Sequence, residues 1–205
     1  MKNPLSYQIT EYDCGPTTVM NAVSFLFKRE EIRPDVIKHI MLYTLDSYNK
    51  KGESGKSGTS GMAMRFLCEW LNQYGKATKF PIHCEALRQE DVFVAQNSRL
   101  VTGLQQNGAA IVRLKYGCWH YVLFTGADAE SVYLFDPYYR KQPFRQKDIK
   151  LIADMPEKWN RKVPYHYFNQ EDGPYALGPA GTREATMLFN GATRAALVEA
   201  IEYFI

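Results

Sequence analysis

The first part of the chain places apolar residues every three or four positions, between short polar stretches. This spacing is typical of amphipathic helices. It predicts three of them, over residues 16–28, 34–48 and 62–75. Pro16 and Pro34 suit the first position of a helix, because proline lacks the N–H group that would be unpaired there. The polar, glycine-rich stretch 49–61 is expected to be a loop between the second and third helices.

Small and polar residues mark the ends of the later helices. Thr59 or Ser60 is the expected N-cap of the third helix, and Gly75 is its expected C-cap. Two shorter helices are predicted, over residues 86–95 and 98–108. The second of these takes Ser98 as its cap and ends at Gly108.

From residue 109 the helical spacing of apolar residues ends. Three segments rich in β-branched and aromatic residues follow, and turn residues lie between them. These segments are predicted strands at 109–117, 119–126 and 131–137, of which the last two form a hairpin. Further strands are predicted around 77–85 and 183–190, and a last amphipathic helix at 192–205. Helices followed by an antiparallel sheet predict an α+β fold.

The composition is that of an ordinary globular protein. The 205 residues are 45% apolar and 23% charged, which is enough to bury a core within one domain, residues 1–205. The net charge of +3 is mild and the basic residues are scattered, so no nucleic-acid partner is expected. No apolar run has the length of a membrane span, and residues 1–13 lack the apolar core of a secretory signal. We therefore expect a cytoplasmic protein.

The chain has four cysteines, Cys14, Cys68, Cys84 and Cys118. They are widely spaced and include no CxxC pair, so free thiols are expected rather than a metal site. Cys68 and Cys84 are interpreted as small buried side chains. Cys14 precedes Gly15 where the first helix begins, and a helix N-terminus carries partial positive charge that stabilises a thiolate. Cys14 is therefore the candidate nucleophile.

A thiol nucleophile needs a base, and the base needs a group that orients it. Among the histidines, His120 begins a predicted strand, where a side chain is held rigidly. Asp136 ends the next strand and the turn near 127–130 lies midway, so the two are expected to be cross-strand neighbours. Gln8 can offer its amide as an oxyanion donor beside the backbone N–H of Cys14, although for Gln8 taken alone the interpretation as a surface loop residue is favoured.

The arrangement resembles the papain-like cysteine peptidases, and more closely the bacteriocin-processing, double-glycine leader peptidase family and its stand-alone relatives. The matching segments are the run from Gln8 to Gly15, the strand that begins at His120, and the Asp-Pro pair at 136–137. The resemblance covers about residues 5–145, which leaves 146–205 as a C-terminal extension.

This resemblance implies a papain-like fold, with an N-terminal helical half, a C-terminal antiparallel sheet and an active-site cleft between them. It implies that Cys14 is the nucleophile, His120 the base and Asp136 its orienting group, with Gln8 completing the oxyanion hole. It also implies hydrolysis of a leader or other peptide or protein substrate without a metal or an organic cofactor.

Two alternatives remain open from the sequence. An amidase or a transpeptidase would use the same site for a different acyl transfer, and a non-catalytic peptide-binding module would keep only the fold. The intact set of four site residues argues against the binding module.

Two local features suggest further hypotheses. Cys118 lies two residues before His120, so on a strand both face the same way, and Cys118 could pair reversibly with an oxidised Cys14. The stretch GESGKSG at 52–58 resembles a phosphate-binding loop, but Lys50 stands where that motif requires glycine. We interpret residues 48–60 as a flexible loop, and as a candidate lid over the cleft.

Overall fold

The computed structural model describes residues 1–196. Within them lie the helices α1 (Cys14–Leu26), α2 (Pro34–Tyr43), α3 (Gly61–Thr78) and α4 (Arg99–Gln105). The strands are β1 (Ile82–Arg88), β2 (Ala109–Tyr116), β3 (Cys118–Ala127), β4 (Ser131–Phe135), β5 (Lys150–Leu151), β6 (Arg161–Pro164) and β7 (Glu184–Asn190). The helix predicted at 192–205 lies outside the described residues from position 197 onward.

The strands form one antiparallel sheet in the order β1-β7-β2-β3-β4-β6-β5. Strand β7, from the end of the described chain, lies between β1 and β2. It pairs with β1 from Ile82↔Asn190 to Arg88↔Glu184, which is the whole length of both strands. The predicted α+β class, with a helical N-terminal half and an antiparallel sheet, is confirmed.

Two hydrophobic cores cover the two faces of this sheet. Helices α1, α2 and α3 pack on one face, where the sheet contributes Ile111, Leu123, Phe135 and Leu188. Helix α4 and the segments after β4 pack on the other face, against Val122, Phe124, Leu134 and Met187. Residues beyond 145 contribute Ile149, Val163, Phe168, Tyr175 and Leu177 to this second core. The segment interpreted as an extension therefore supplies both a strand inside the sheet and much of one core.

Helix α1 begins at Cys14, two residues before its predicted start. Pro16 therefore occupies the third helical position rather than the first. The helix tolerates this because its first N–H groups have no partner within it, and its first bond runs from Thr17 N to Asp13 O at 3.1 Å. Cys14 thus lies inside the first turn.

Helix α2 ends at Tyr43, whereas the apolar pattern extended it to residue 48. Thr44 Oγ1 donates to the carbonyl of Ile40 at 2.8 Å. Leu45 then takes a positive φ of 57°, which lies outside the right-handed helical region. Its N–H donates to Thr59 Oγ1 at 3.1 Å, so a tertiary contact replaces the next helical hydrogen bond.

Helix α3 continues past Gly75, and the prediction of Gly75 as the C-cap is wrong. Gly75 is buried within the helix, where a Cβ would lie 2.9 Å from the carbonyl oxygens of both Phe80 and Ile82. Glycine is needed there for a close approach of the chain leading into β1. The residue that ends the helix in the left-handed conformation is Lys79, with φ 60°.

The predicted N-caps of two helices are confirmed. Ser60 accepts a hydrogen bond from Ala63 N at the start of α3, and Ser98 accepts one from Val101 N at the start of α4. The helix predicted at 86–95 is wrong, because β1 continues to Arg88 alongside β7. The residues around position 90 carry no sign of this pairing, because the partner strand β7 comes much later in the chain.

Candidate active site

Cys14 is 7% exposed and lies in the first turn of α1. One turn later, the hydroxyl of Thr18 donates to the carbonyl of Tyr121 at 3.1 Å, which fixes α1 against strand β3. Residues four apart lie on the same face of a helix, so Cys14 faces the start of this strand. The residue that precedes Tyr121 is His120.

His120 and Asp136 are joined by a hydrogen bond between Nε2 and Oδ1 at 2.8 Å. Both side chains are largely buried, with 13% and 10% exposed. The hairpin of β3 and β4 therefore brings together the two residues that the spacing predicted as neighbours. Since Nε2 is engaged by Asp136, Nδ1 is the ring nitrogen left for the Cys14 thiol.

The two residues are diagonal neighbours rather than directly opposite each other. Leu123 pairs with Phe135, and a bulge between Phe124 and Gly126 shifts the register of β3 against β4. In this register Asp136 lies opposite Val122, two residues from His120. The aromatic ring of His120 is large enough to reach across such a diagonal to the carboxylate.

The charges around the imidazole favour its protonated form. Burial alone would lower the pKa of His120, but its hydrogen bonds to Asp136 and Cys14, together with their charges, raise the pKa to about 10. Burial would raise the pKa of Asp136, but the hydrogen bond and charge of His120 and the charge of Arg161 hold it below its ordinary value. The site therefore favours an imidazolium between two groups that can carry negative charge.

Asp136 has further partners that sequence reasoning missed. Its Oδ1 also accepts from Tyr138 N at 2.9 Å, and its Oδ2 accepts from the Tyr175 hydroxyl at 3.1 Å. The side-chain amide of Asn160 binds both backbone polar groups of Asp136. Its Oδ1 accepts from Asp136 N and its Nδ2 donates to Asp136 O, each at 2.8 Å. Asn160 and Tyr175 come from the loop-rich C-terminal part, where no sequence pattern linked them to this aspartate.

Gln8 lies beside the end of β4, because its backbone N–H donates to the carbonyl of Pro137 at 3.0 Å. Its side-chain Nε2 donates to the carbonyl of Thr10 at 2.7 Å, and its Oε1 is buried without a partner among the described residues. A primary amide has two N–H donors, so one remains after the bond to Thr10. The oxyanion role of Gln8 stays a prediction.

Asp13 organises the loop between Gln8 and Cys14, and sequence reasoning did not single it out. Its carboxylate accepts from Ile9 N at 2.9 Å, Thr10 N at 2.6 Å and Thr17 Oγ1 at 3.3 Å. Burial would raise its pKa, but hydrogen bonds from Thr10 and Ile9 outweigh it and lower the pKa. The signal that could have found Asp13 is its place in the run from Gln8 to Gly15; it occupies the N-cap position of α1, although its side chain accepts no hydrogen bond from a backbone N–H of the helix.

The remaining cysteines differ from Cys14 in their surroundings. Cys68 and Cys84 are buried, as predicted, with 2% and 3% exposed. A hydrogen bond with Cys68, together with burial, raises the pKa of the Cys84 thiol, which favours its unreactive protonated form. Cys118 is exposed and free, and its pairing with Cys14 remains a prediction.

The loop at 48–60 lies close to the candidate nucleophile. Thr59 packs against Gly15, where a Cβ would lie 2.4 Å from Thr59 Oγ1. A Cβ on Gly58 would lie 3.5 Å from the carbonyl of Tyr12, in the loop before Cys14. These contacts place the end of the loop beside the site, and its role as a lid stays a prediction.

Residues 1–196 contain neither a metal-binding cluster nor a membrane-spanning helix. No three His, Cys, Asp or Glu side chains in this part of the chain are grouped so that they could hold a metal ion. Of the helices described here, none has the length and the apolar character needed to cross a bilayer.

Comparison with known proteins gives a distant similarity. The chain matches no protein-family profile and no curated protein. Among solved structures it is similar to a double-glycine-motif protease from an AMS/PCAT transporter, determined in complex with the leader peptide. The two share 14% sequence identity and superpose with a TM-score of 0.44, over 91% of this chain and 89% of that chain. So distant a likeness does not assign an activity.

Proposed function

We propose that this chain is a cysteine peptidase in which Cys14 is the nucleophile, His120 the general base and Asp136 the group that orients His120. The observation that carries the proposal is the position of one imidazole between a buried carboxylate and the candidate thiol. The Nε2–Oδ1 bond of 2.8 Å fixes the ring, and both Asp136 and Cys14 raise the pKa of His120. Such a nucleophile, base and orienting group is the arrangement that activates a weak nucleophile.

In the proposed resting state the Cys14 proton already lies on His120 Nδ1, so the reaction begins from a thiolate and an imidazolium. The thiolate attacks the carbonyl carbon of the peptide bond, and the carbonyl oxygen becomes an oxyanion. The backbone N–H of Cys14 and the free amide N–H of Gln8 are the proposed donors to it. The imidazolium then protonates the leaving amine, the C–N bond breaks, and a thioester remains on Cys14. Water, deprotonated by His120, hydrolyses that thioester and restores the thiol.

The proposed substrate is an extended peptide, and a leader peptide is the specific candidate. This choice rests on the motifs at Gln8–Gly15, His120 and Asp136, which resemble those of leader peptidases. Two exposed aromatic residues lie close in sequence to the site residues: Trp119 directly precedes His120 and is 42% exposed, and Tyr138 follows Asp136 by two residues and is 50% exposed. They offer apolar contact area to a peptide chain.

A thiol-directed activity probe tests the catalytic proposal. In the folded protein we expect Cys14 to label at least tenfold faster than the buried Cys68 and Cys84, as followed for each cysteine by peptide mass spectrometry. The His120→Ala variant should abolish this preference, because an unpaired thiol at neutral pH is mostly protonated.

The matched control is His166→Ala, since His166 is an exposed histidine outside the site. It should leave the labelling of Cys14 unchanged. Cleavage of a peptide library by the wild type but not by Cys14→Ala would then define the substrate. If Cys14 labels no faster than Cys68 and Cys84, the peptidase proposal is wrong.

A further inference from the structure

The second carboxylate oxygen of Asp136 faces a buried phenol that the proposed mechanism does not use. Tyr175 donates its hydroxyl proton to Asp136 Oδ2 at 3.1 Å, while His120 engages Oδ1 at 2.8 Å. The two interactions therefore hold the carboxylate at both oxygens. Tyr175 is 3% exposed and comes from a segment 39 residues after Asp136.

The ring of Tyr175 is held in place by packing. Its centroid lies 5.7 Å from that of Phe144 and 6.4 Å from that of Phe168, both in the second core. The buried guanidinium of Arg161 lies near both the phenol and Asp136, since it contributes to the pKa of each. The hydroxyl therefore has little freedom to turn away from the carboxylate.

The backbone at Tyr175 is strained, and neighbouring hydrogen bonds hold it. Tyr175 has a φ of 60°, which is uncommon for a bulky side chain. On its C-terminal side, Ala176 O accepts from Lys115 N and Leu177 N donates to Phe168 O, each at 2.7 Å. Such outliers persist where the surrounding structure imposes them, and they cluster at functional sites.

We propose that Tyr175 is a positioning residue that fixes the Asp136 carboxylate in the orientation that His120 requires. This inference rests on the proposed function. Tyr175 acts through Asp136 and does not touch the substrate or the reacting atoms. A hydrogen bond to a carboxylate stabilises its charged form, and a carboxylate with fixed oxygens fixes the ring it binds.

The test is Tyr175→Phe, which removes one oxygen and keeps the ring. Without the phenol, Asp136 binds a proton more readily, so the acid limb of the pH profile for Cys14 alkylation by iodoacetamide should move up by about one unit. With a cleavable peptide, kcat should fall about tenfold at neutral pH while KM stays unchanged. A merely structural role would lower the melting temperature without moving the acid limb.

The matched control is Tyr167→Phe, which removes a phenol-to-carboxylate hydrogen bond of 2.7 Å at Asp148, away from the site. It should leave the acid limb in place. If Tyr175→Phe does not fold, 3-fluorotyrosine introduced at position 175 keeps the packing and donates more strongly. That substitution should move the acid limb to lower pH.

The His120→Ala variant separates the two proposals. If it leaves the reactivity of Cys14 unchanged, the peptidase proposal fails. If it lowers that reactivity while Tyr175→Phe or the fluorinated residue leaves the acid limb where it was, the positioning role of Tyr175 alone is overturned.

Discussion

The imidazole of His120 receives its properties from two neighbours that oppose the effect of burial. A buried histidine alone tends to be neutral, because desolvation disfavours the charged ring. Asp136 reverses this preference through a 2.8 Å hydrogen bond, and the Cys14 thiol acts in the same direction. The balance between desolvation and these two groups therefore sets the pH range in which the site is charged.

This balance predicts how stability depends on pH. The pKa of His120 is raised from 6.5 to about 10, so the protonated ring stabilises the folded state fully below pH 6.5. That contribution is lost as the pH rises from 6.5 towards 10. The free energy of unfolding of the wild type, relative to that of His120→Gln, should therefore fall across this interval in urea titrations.

The control for this experiment is His166→Gln, which changes an exposed histidine. The difference in the free energy of unfolding between this variant and the wild type should show no comparable dependence on pH over the same interval. A difference between wild type and His120→Gln that stays constant from pH 6.5 to 10 would contradict the proposed imidazolium.

The site residues that could be predicted from the sequence have local signals, whereas those that were missed are brought to the site only by tertiary contacts. Cys14 and the pair His120 and Asp136 follow from local signals, a helix start and a hairpin. Asn160 and Tyr175 contact Asp136 only because of the tertiary fold. The loop-rich sequence around them has no helical or strand periodicity from which their position could be predicted. Local patterns thus predicted the proposed reacting groups but not the groups that hold them.

The loop before α1 depends on one carboxylate for its shape. Asp13 binds the backbone of residues 9 and 10 and the side chain of Thr17, so it joins the Gln8 segment to the helix that carries Cys14. Asp13→Ala should cost about 1–3 kcal/mol in the free energy of unfolding, because it removes a carboxylate that accepts hydrogen bonds from the backbone N–H groups of Ile9 and Thr10. It should also slow the labelling of Cys14, because the loop before α1 would no longer hold the first turn of that helix in place.

A carboxylate with a similar role elsewhere gives the comparison for Asp13. Asp128 accepts from Glu130 N at 3.0 Å and Ser131 N at 2.8 Å in the turn between β3 and β4. Asp128→Ala should lower stability by chemical denaturation without slowing the labelling of Cys14. Equal slowing in both variants would show that general destabilisation, rather than the loop, controls the thiol.

Helix ends were the elements that the sequence predicted least well. Helix α2 stops early because Leu45 bonds to Thr59, and α3 continues through Gly75 because the chain before β1 passes close to it. Leu45 and Thr59 lie 14 residues apart, whereas the chain that approaches Gly75 follows within a few residues; in both cases a contact, rather than the apolar period, decides where the helix ends. The strands at 109–135 were predicted well, since their apolar residues and turns are local.

The fold is built around a sheet in which the last described strand, β7, joins β1 to the other strands. The sequence predicted a strand near 183–190 but gave no reason to place it between β1 and β2. The C-terminal part also fills the second core through residues such as Phe168 and Leu177, both 0% exposed. The site receives Asn160 and Tyr175 from the same part, so the sheet, one core and the support of Asp136 are linked.

This arrangement predicts that a chain truncated after Asp154 will not fold. Truncation removes β6 and β7, leaves β1 without its partner, and exposes the face of the sheet that the second core covers. The loss should abolish the cooperative thermal transition and the near-ultraviolet circular dichroism of packed aromatic side chains. A chain that ends at Ala196 keeps every described residue and is the control, which should melt cooperatively. A cooperative transition and rapid labelling of Cys14 in the 1–154 chain would show that β1 and β2 can form the sheet without β7.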